Sequence, residues 1–152
     1  MPHYLAIDYG EKRIGLAYGD ELGVATPIKA AVDSSLEKRL QTIASAIKER
    51  AIDQLVVGYP LNMNGSKGKR VEQVEIFIKK LEDQFLLPVH RVDERLSSHQ
   101  VEMAFKGTKK KWDRKSGDLD SRAASVFLQE FLDQKIEFQI LEDEDMIPDN
   151  YC

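Results

Sequence analysis

The 152-residue chain has one cysteine, Cys152, its final residue, so no disulfide within the chain can form, and nothing marks an oxidising compartment. Its three histidines, His3, His90 and His99, are scattered without His-x-x-x-His spacing, which leaves zinc unsupported. No stretch approaches the roughly 18 apolar residues of a membrane span, and the opening Met-Pro-His-Tyr-Leu-Ala-Ile-Asp reaches a charge at position 8. Neither a signal peptide nor a membrane partner is expected, and the expected location is cytoplasmic. Internal repeats and low-complexity linkers are absent too. At this length, with 42% hydrophobic residues, the chain fits one domain with a sizeable core.

The formal charge of −4 suggests avoidance of nucleic acid, but the charge is unevenly placed. No basic residue follows Lys135, whereas Glu137, Glu142, Asp143, Glu144, Asp145 and Asp149 do, so residues 1–136 carry 22 basic against 20 acidic groups. The expected division is a mildly basic domain over 1–136 and an acidic C-terminal tail over 137–152. The strongest basic cluster runs from Lys106 to Lys115, with six cations, one acid and Trp112 in ten residues. Lys109, Lys110 and Lys111 can neutralise phosphates while the indole of Trp112 stacks on a base. Taken alone, such a run reads first as a solvated loop.

Residues His3–Asp8 and Arg13–Tyr18 read as strands joined by a hairpin in which Gly10 is placed to take positive φ. Val24–Ala31 is a weaker third strand with Pro27 at an edge or bend. Leu36, Leu40, Ile43, Ile47 and Ala51 recur at helical spacing after a capping box at Ser34–Glu37. Gln54–Gly58 is a buried strand. Val71, Val74, Ile78, Leu81 and Phe85 mark a second amphipathic helix, and Val89–Val92 another strand. A helix from Ser97 to Gly107 and a final one near Asp118–Gln134 complete the pattern, with Ile136–Leu141 an extra strand or simply tail. Three hairpin-linked strands followed by strand–helix alternation predict a mixed α/β sheet with helices on its faces.

Three acids stand where such a sheet presents ligands: Asp8 at a strand end, Glu94 just beyond a strand, and Asp120 in the first turn of the last helix. Convergent carboxylates repel one another unless a cation intervenes, and hard oxygen donors suit Mg²⁺ or Mn²⁺. Two such ions about 3.5–4 Å apart can promote hydrolysis of a phosphodiester. The bland alternatives are that Asp8 caps a turn, Glu94 pairs with Arg91 or Arg95, and Asp120 complements a helix dipole. Lys12, Arg13, Arg95 and Arg122 adjoin these acids and suit a phosphate substrate. The loop Asn62–Arg70, rich in glycine and lysine, could hold a phosphate through its amides and lysines, although it lacks the P-loop pattern.

Four ordered segments, Asp8-Tyr-Gly-Glu-Lys-Arg-Ile-Gly-Leu-Ala17, Val57-Gly-Tyr-Pro-Leu-Asn-Met-Asn-Gly65, Asp93-Glu-Arg-Leu-Ser-Ser98 and Asp120-Ser-Arg-Ala-Ala124, together resemble the YqgF/RuvX family. The resemblance spans about residues 3–135. It implies a ribonuclease H-like fold with a mixed five-stranded sheet: three antiparallel strands, then β-α-β-α-β, flanked by helices. It implies a metal-dependent endonuclease acting on structured nucleic acid. In this family the two named activities are 5′-end processing of precursor 16S ribosomal RNA, the reading preferred here, and Holliday-junction resolution. Carried across, Asp8, Glu94 and Asp120 become the catalytic, metal-binding acids, with Asp118 competing for the third place. Arg13 and Arg95 become phosphate or site-organising contacts. The cofactor is Mg²⁺ or Mn²⁺, two ions with substrate bound. Partners are precursor ribosomal RNA or branched DNA, with a homodimer and ribosome-assembly factors as further candidates. Ser97-Ser98 stands where many relatives have Thr-Thr, and the acidic tail lies outside the family pattern. A competing reading is a nucleic-acid-binding module without turnover. A sugar-kinase-like phosphate hairpin is disfavoured because that architecture needs two domains.

Overall fold

The structure, a computed structural model, describes residues 2–62, 64–94 and 116–145, with side chains through residue 135. Five strands form one sheet: β1 (His3–Asp8), β2 (Arg13–Asp20), β3 (Thr26–Val32), β4 (Gln54–Tyr59) and β5 (Val89–Asp93). Their spatial order is β3-β2-β1-β4-β5. The first three pair antiparallel, as short connections allow, while β4 lies parallel to β1 and β5 parallel to β4. Helices α1 (Leu36–Glu49) and α2 (Lys69–Phe85) supply the crossovers that parallel pairing demands. A third described helix, α3 (Asp118–Asp145), follows.

Alternation along the strands separates two cores. Leu5, Ile7, Ile14, Leu16, Leu55 and Val57 belong to one, with Ile43, Ala46, Val74, Phe77, Ile78 and Leu81 of α1 and α2. Tyr4, Ala6, Ala17 and Val56 belong to the other, with Ala124, Phe127, Leu128 and Leu132 of α3. Small residues on the second face let α3 lie close. A Cβ at Gly15 would collide with the backbone of Asp120 and Ser121, and one at Gly19 would come 2.8 Å from the Leu132 side chain.

Several local expectations are corrected. Gly10 is not at positive φ; a Cβ there would instead run into the Arg13 carbonyl, so its smallness serves a close backbone approach. The first helix begins one residue later than the Ser34–Glu37 box implies. Its N-cap is Ser35, whose side chain makes no cap bond, while the Asp33 carboxylate accepts from the Ser35 amide at 2.7 Å. Ile136–Leu141 is neither strand nor irregular tail but a continuation of α3, which passes Gln134 and reaches Asp145. Pro27 sits on the edge strand β3, opposite Ala17, as expected of a residue without an N–H. The expected Ser97–Gly107 helix and the basic cluster lie outside the described residues.

Candidate active site

Asp8 is the last residue of β1 and Glu94 the first beyond β5, so β4 lies between their strands. Two strand spacings amount to about 9.5 Å, too far for carboxylates that leave the sheet straight. The Glu94 side chain crosses over β4 at Gly58, where a Cβ would strike its Oε2. It thereby reaches Asp8, with which it shares a hydrogen bond. The Glu94 amide donates to the Tyr59 carbonyl at 3.3 Å, anchoring the turn out of β5.

Asp120 arrives from the first turn of α3. The register of β2 against β3 shifts between Ile14 and Leu16, and the Leu16 amide donates instead to the buried Ser121 Oγ at 3.1 Å. That bond and the bare backbone at Gly15 dock the helix start onto the sheet. Arg13, on the same strand face as Gly15 and Ala17, lies 3.4 Å from Asp120 through Nε and Oδ2.

The acids line a polar cavity of about 790 Å³, shared with Lys12, Arg13, Arg70 and Gln73. Burial raises the Asp8 pKa well above the usual carboxylate range; the charges of Glu94 and Asp120 and the bond to Glu94 add to this, against an opposing pull from Arg70. Glu94 is also raised, chiefly by burial and further by Asp93, while Arg70 and the bond from Asp8 oppose the shift. The two acids therefore titrate as a pair rather than as independent groups.

An all-oxygen donor set whose members share a proton because their charges conflict is chemically suited to a hard divalent cation. Asp8 and Glu94 form the close pair, while Asp120 faces Arg13. As these side chains stand, no group of three or more His, Cys, Asp or Glu residues among those described is arranged to hold a metal ion.

The structure thus brings together Asp8, Glu94, Asp120, Lys12 and Arg13. Asp118 is exposed and does not line the cavity. Arg95, Lys109, Lys110, Lys111 and Trp112 lie outside the described residues. Arg91 does not compensate Glu94, because it makes two hydrogen bonds to Glu75, at 2.8 and 2.9 Å. The loop after β4 satisfies much of its polarity internally: the Asn62 amide donates to the Ser66 carbonyl, the Gly65 amide to the Asn62 carbonyl and the Ser66 amide to Asn64 Oδ1. What that segment sends into the cavity is Arg70, with Gln73 one turn on. Sequence reasoning had placed Arg70 only at the end of a loop; its position in the first turn of an amphipathic helix that follows a buried strand was the available signal.

A mixed sheet of this order, with acids at the ends of β1 and β5 and at the start of a helix packed across it, defines a ribonuclease H-like protein. The fold is similar to the Thermus thermophilus RuvC structure, with TM-score 0.50 and 13% identity, covering 89% of this chain and 96% of that one. Residues 2–134 match the family described as RuvX, Holliday junction resolvase, and the chain belongs to that family. A protein of Opitutus terrae named "Putative pre-16S rRNA nuclease" is 46% identical over 132 residues, covering 86% of this chain and 91% of that protein. A Picosynechococcus relative of the same name is 42% identical over 132 residues, covering 86% and 92%.

Proposed function

We propose that this protein is a metal-dependent endonuclease that hydrolyses phosphodiester bonds in structured nucleic acid, and that its substrate is precursor 16S ribosomal RNA, processed at the 5′ end. The observation that carries the chemistry is the shared-proton pair Asp8–Glu94 in a polar cavity rimmed by Arg13, Arg70 and Lys12. Family membership and the relatives' names support the substrate.

In this reading Asp8, Glu94 and Asp120 would hold Mg²⁺ or Mn²⁺, which would supply charge neutralisation at the phosphate and ease ionisation of water. Asp8 and Glu94 would hold the cation as carboxylates, so metal binding would compete with the proton they share. With Asp120 engaged on the cation, the Arg13 guanidinium beside it would be available to a phosphate oxygen. Arg70 and Lys12, which both line the cavity, bind the flanking backbone, and their fixed charge stabilises the transition state. Arg95, Lys109, Lys110, Lys111 and Trp112 extend the substrate contact in this proposal. The domain responsible is residues 1–136. The family description supports branched DNA as a second substrate.

The test is cleavage of a labelled precursor 16S fragment and a four-way DNA junction with Mn²⁺, Mg²⁺ or chelator, for wild type and Asp8→Asn. The expected result is metal-dependent cleavage of the RNA that the variant lacks. Undiminished cleavage by a folded variant excludes the assignment of Asp8. Preference for the junction selects the second substrate, and salt-sensitive binding without any cleavage selects a binding module.

A further inference from the structure

Helix α1 carries an arginine on its core stripe. Arg39, Ile43 and Ala46 are its buried residues, spaced four and three apart, and Arg39 is only 4% exposed. Burying a guanidinium is unfavourable unless its donors are used and its charge is met. Arg39 meets those conditions incompletely, because its buried Nε has no hydrogen-bond partner among the described residues. A side chain kept inside under such terms calls for a reason other than packing.

Its contacts supply one. Nη1 of Arg39 donates to the carbonyl of Gly10, in the turn between β1 and β2. The guanidinium carbon lies 5.9 Å from the centroid of the Tyr9 ring, and that ring stacks on Phe77 of α2 at 4.5 Å between centroids. Two residues further along the turn, the Lys12 carbonyl accepts from the Asp33 amide at 3.0 Å, just before α1. The turn is therefore gripped at Gly10 and at Lys12 by one short segment, and only the Gly10 grip uses a side chain. Asp8 precedes this turn, Lys12 closes it and Arg13 follows it; Arg39 itself does not line the cavity.

We infer that Arg39 is a positioning residue for the nuclease reaction, holding the Gly10 carbonyl from behind so that Asp8 and the pair Lys12–Arg13 keep their mutual spacing across the turn. The inference rests on the proposed nuclease function. A hydrocarbon of similar length fills the space without the desolvation penalty, so the fold tolerates Arg39→Met. The turn then loses its side-chain tether, and displacement of reacting groups by about 1 Å can lower turnover by up to about a hundredfold.

The experiment compares wild type, Arg39→Met, Arg39→Lys and Asp8→Asn in melting temperature, in kcat and KM with Mn²⁺ on whichever labelled substrate the wild type cleaves, and in substrate binding with Ca²⁺. Expected are a melting temperature for Arg39→Met at or near that of wild type, kcat lower by about tenfold or more, and binding little changed. Arg39→Lys, which retains a cationic donor able to reach the same carbonyl, recovers most of the loss. Unchanged kcat in folded Arg39→Met overturns the inference. So does equal impairment of folded Met and Lys variants. If Arg39→Met does not fold, folded Arg39→Lys decides: near-wild-type kcat supports the tether and a tenfold deficit refutes it. Full activity in Asp8→Asn, by contrast, would remove the nuclease assignment itself, whatever Arg39 does.

Discussion

At the scale of single residues, the Asp8–Glu94 pair carries a cost in stability. A carboxyl whose pKa is raised by folding contributes most to stability below its unfolded value, here 3.8, and that contribution is lost as pH rises through the folded value. At neutral pH the ionised pair is therefore a liability. Asp8→Asn is expected to raise the melting temperature by a few degrees at pH 7 in the absence of divalent metal, with the gain vanishing toward pH 3. A thermal-melt series over pH checks it, and a variant less stable at pH 7 would contradict it. Turnover has the opposite dependence, rising with pH as the pair loses its shared proton. Mn²⁺ is expected to stabilise the wild type, by about 2.7 kcal/mol at a hundred times its Kd, and Asp8→Asn hardly at all. Calorimetry with and without chelator reads both.

At the scale of elements, the site depends on how closely α3 and the turn after β5 approach the sheet. Ser121→Ala strands the Leu16 amide under the helix and is expected to lower stability by about 1–3 kcal/mol. Because Asp120 is the neighbouring residue, kcat should fall more than melting predicts. Gly58→Ala puts a methyl group in the path of the Glu94 side chain and 2.9 Å from Phe127. It should lower kcat by about a hundredfold while far-ultraviolet circular dichroism stays unchanged. A Gly58→Ala enzyme with full activity would show that Glu94 need not cross β4. Most elements were legible because their signals are local: the spacing of Val71, Val74, Ile78 and Leu81 needs no knowledge of the sheet. The extension of α3 was missed because Ile136–Leu141 carries an apolar run that strand and helix share, and continuity with a preceding helix decides between them.

At the scale of the whole molecule, charge is partitioned along the chain, with six acids beyond Lys135 and no bases. Lys135 Nζ donates to Tyr4 Oη at 2.7 Å, tying α3 to the start of β1 immediately before the acidic part. A chain ending at residue 136 is expected to keep its melting temperature within a few degrees. It should also bind nucleic acid several-fold more tightly at low salt, with the difference fading as the Debye length shortens to about 3 Å at 1 M. Titrations of full-length and shortened protein across salt concentrations test this; equal affinity at low salt would show that the acidic segment exerts no field on the binding face. Among the described residues, no helix is long and apolar enough to cross a membrane.

The sequence by itself determined the five strands, the first two helices and the start of the third, which acids stand at their ends, and which family the ordered motifs resemble. Each of those depends on neighbours a few residues apart. Only the tertiary structure decided that Glu94 reaches Asp8 by passing over Gly58, that Asp120 faces Arg13, that Arg91 is committed to Glu75, and that Arg39 is buried. Those outcomes depend on strand order, sheet face and helix docking, which bring together residues up to about a hundred positions apart. An arginine on an amphipathic helix reads as solvated until the turn beneath it, with a carbonyl to be held, is in place.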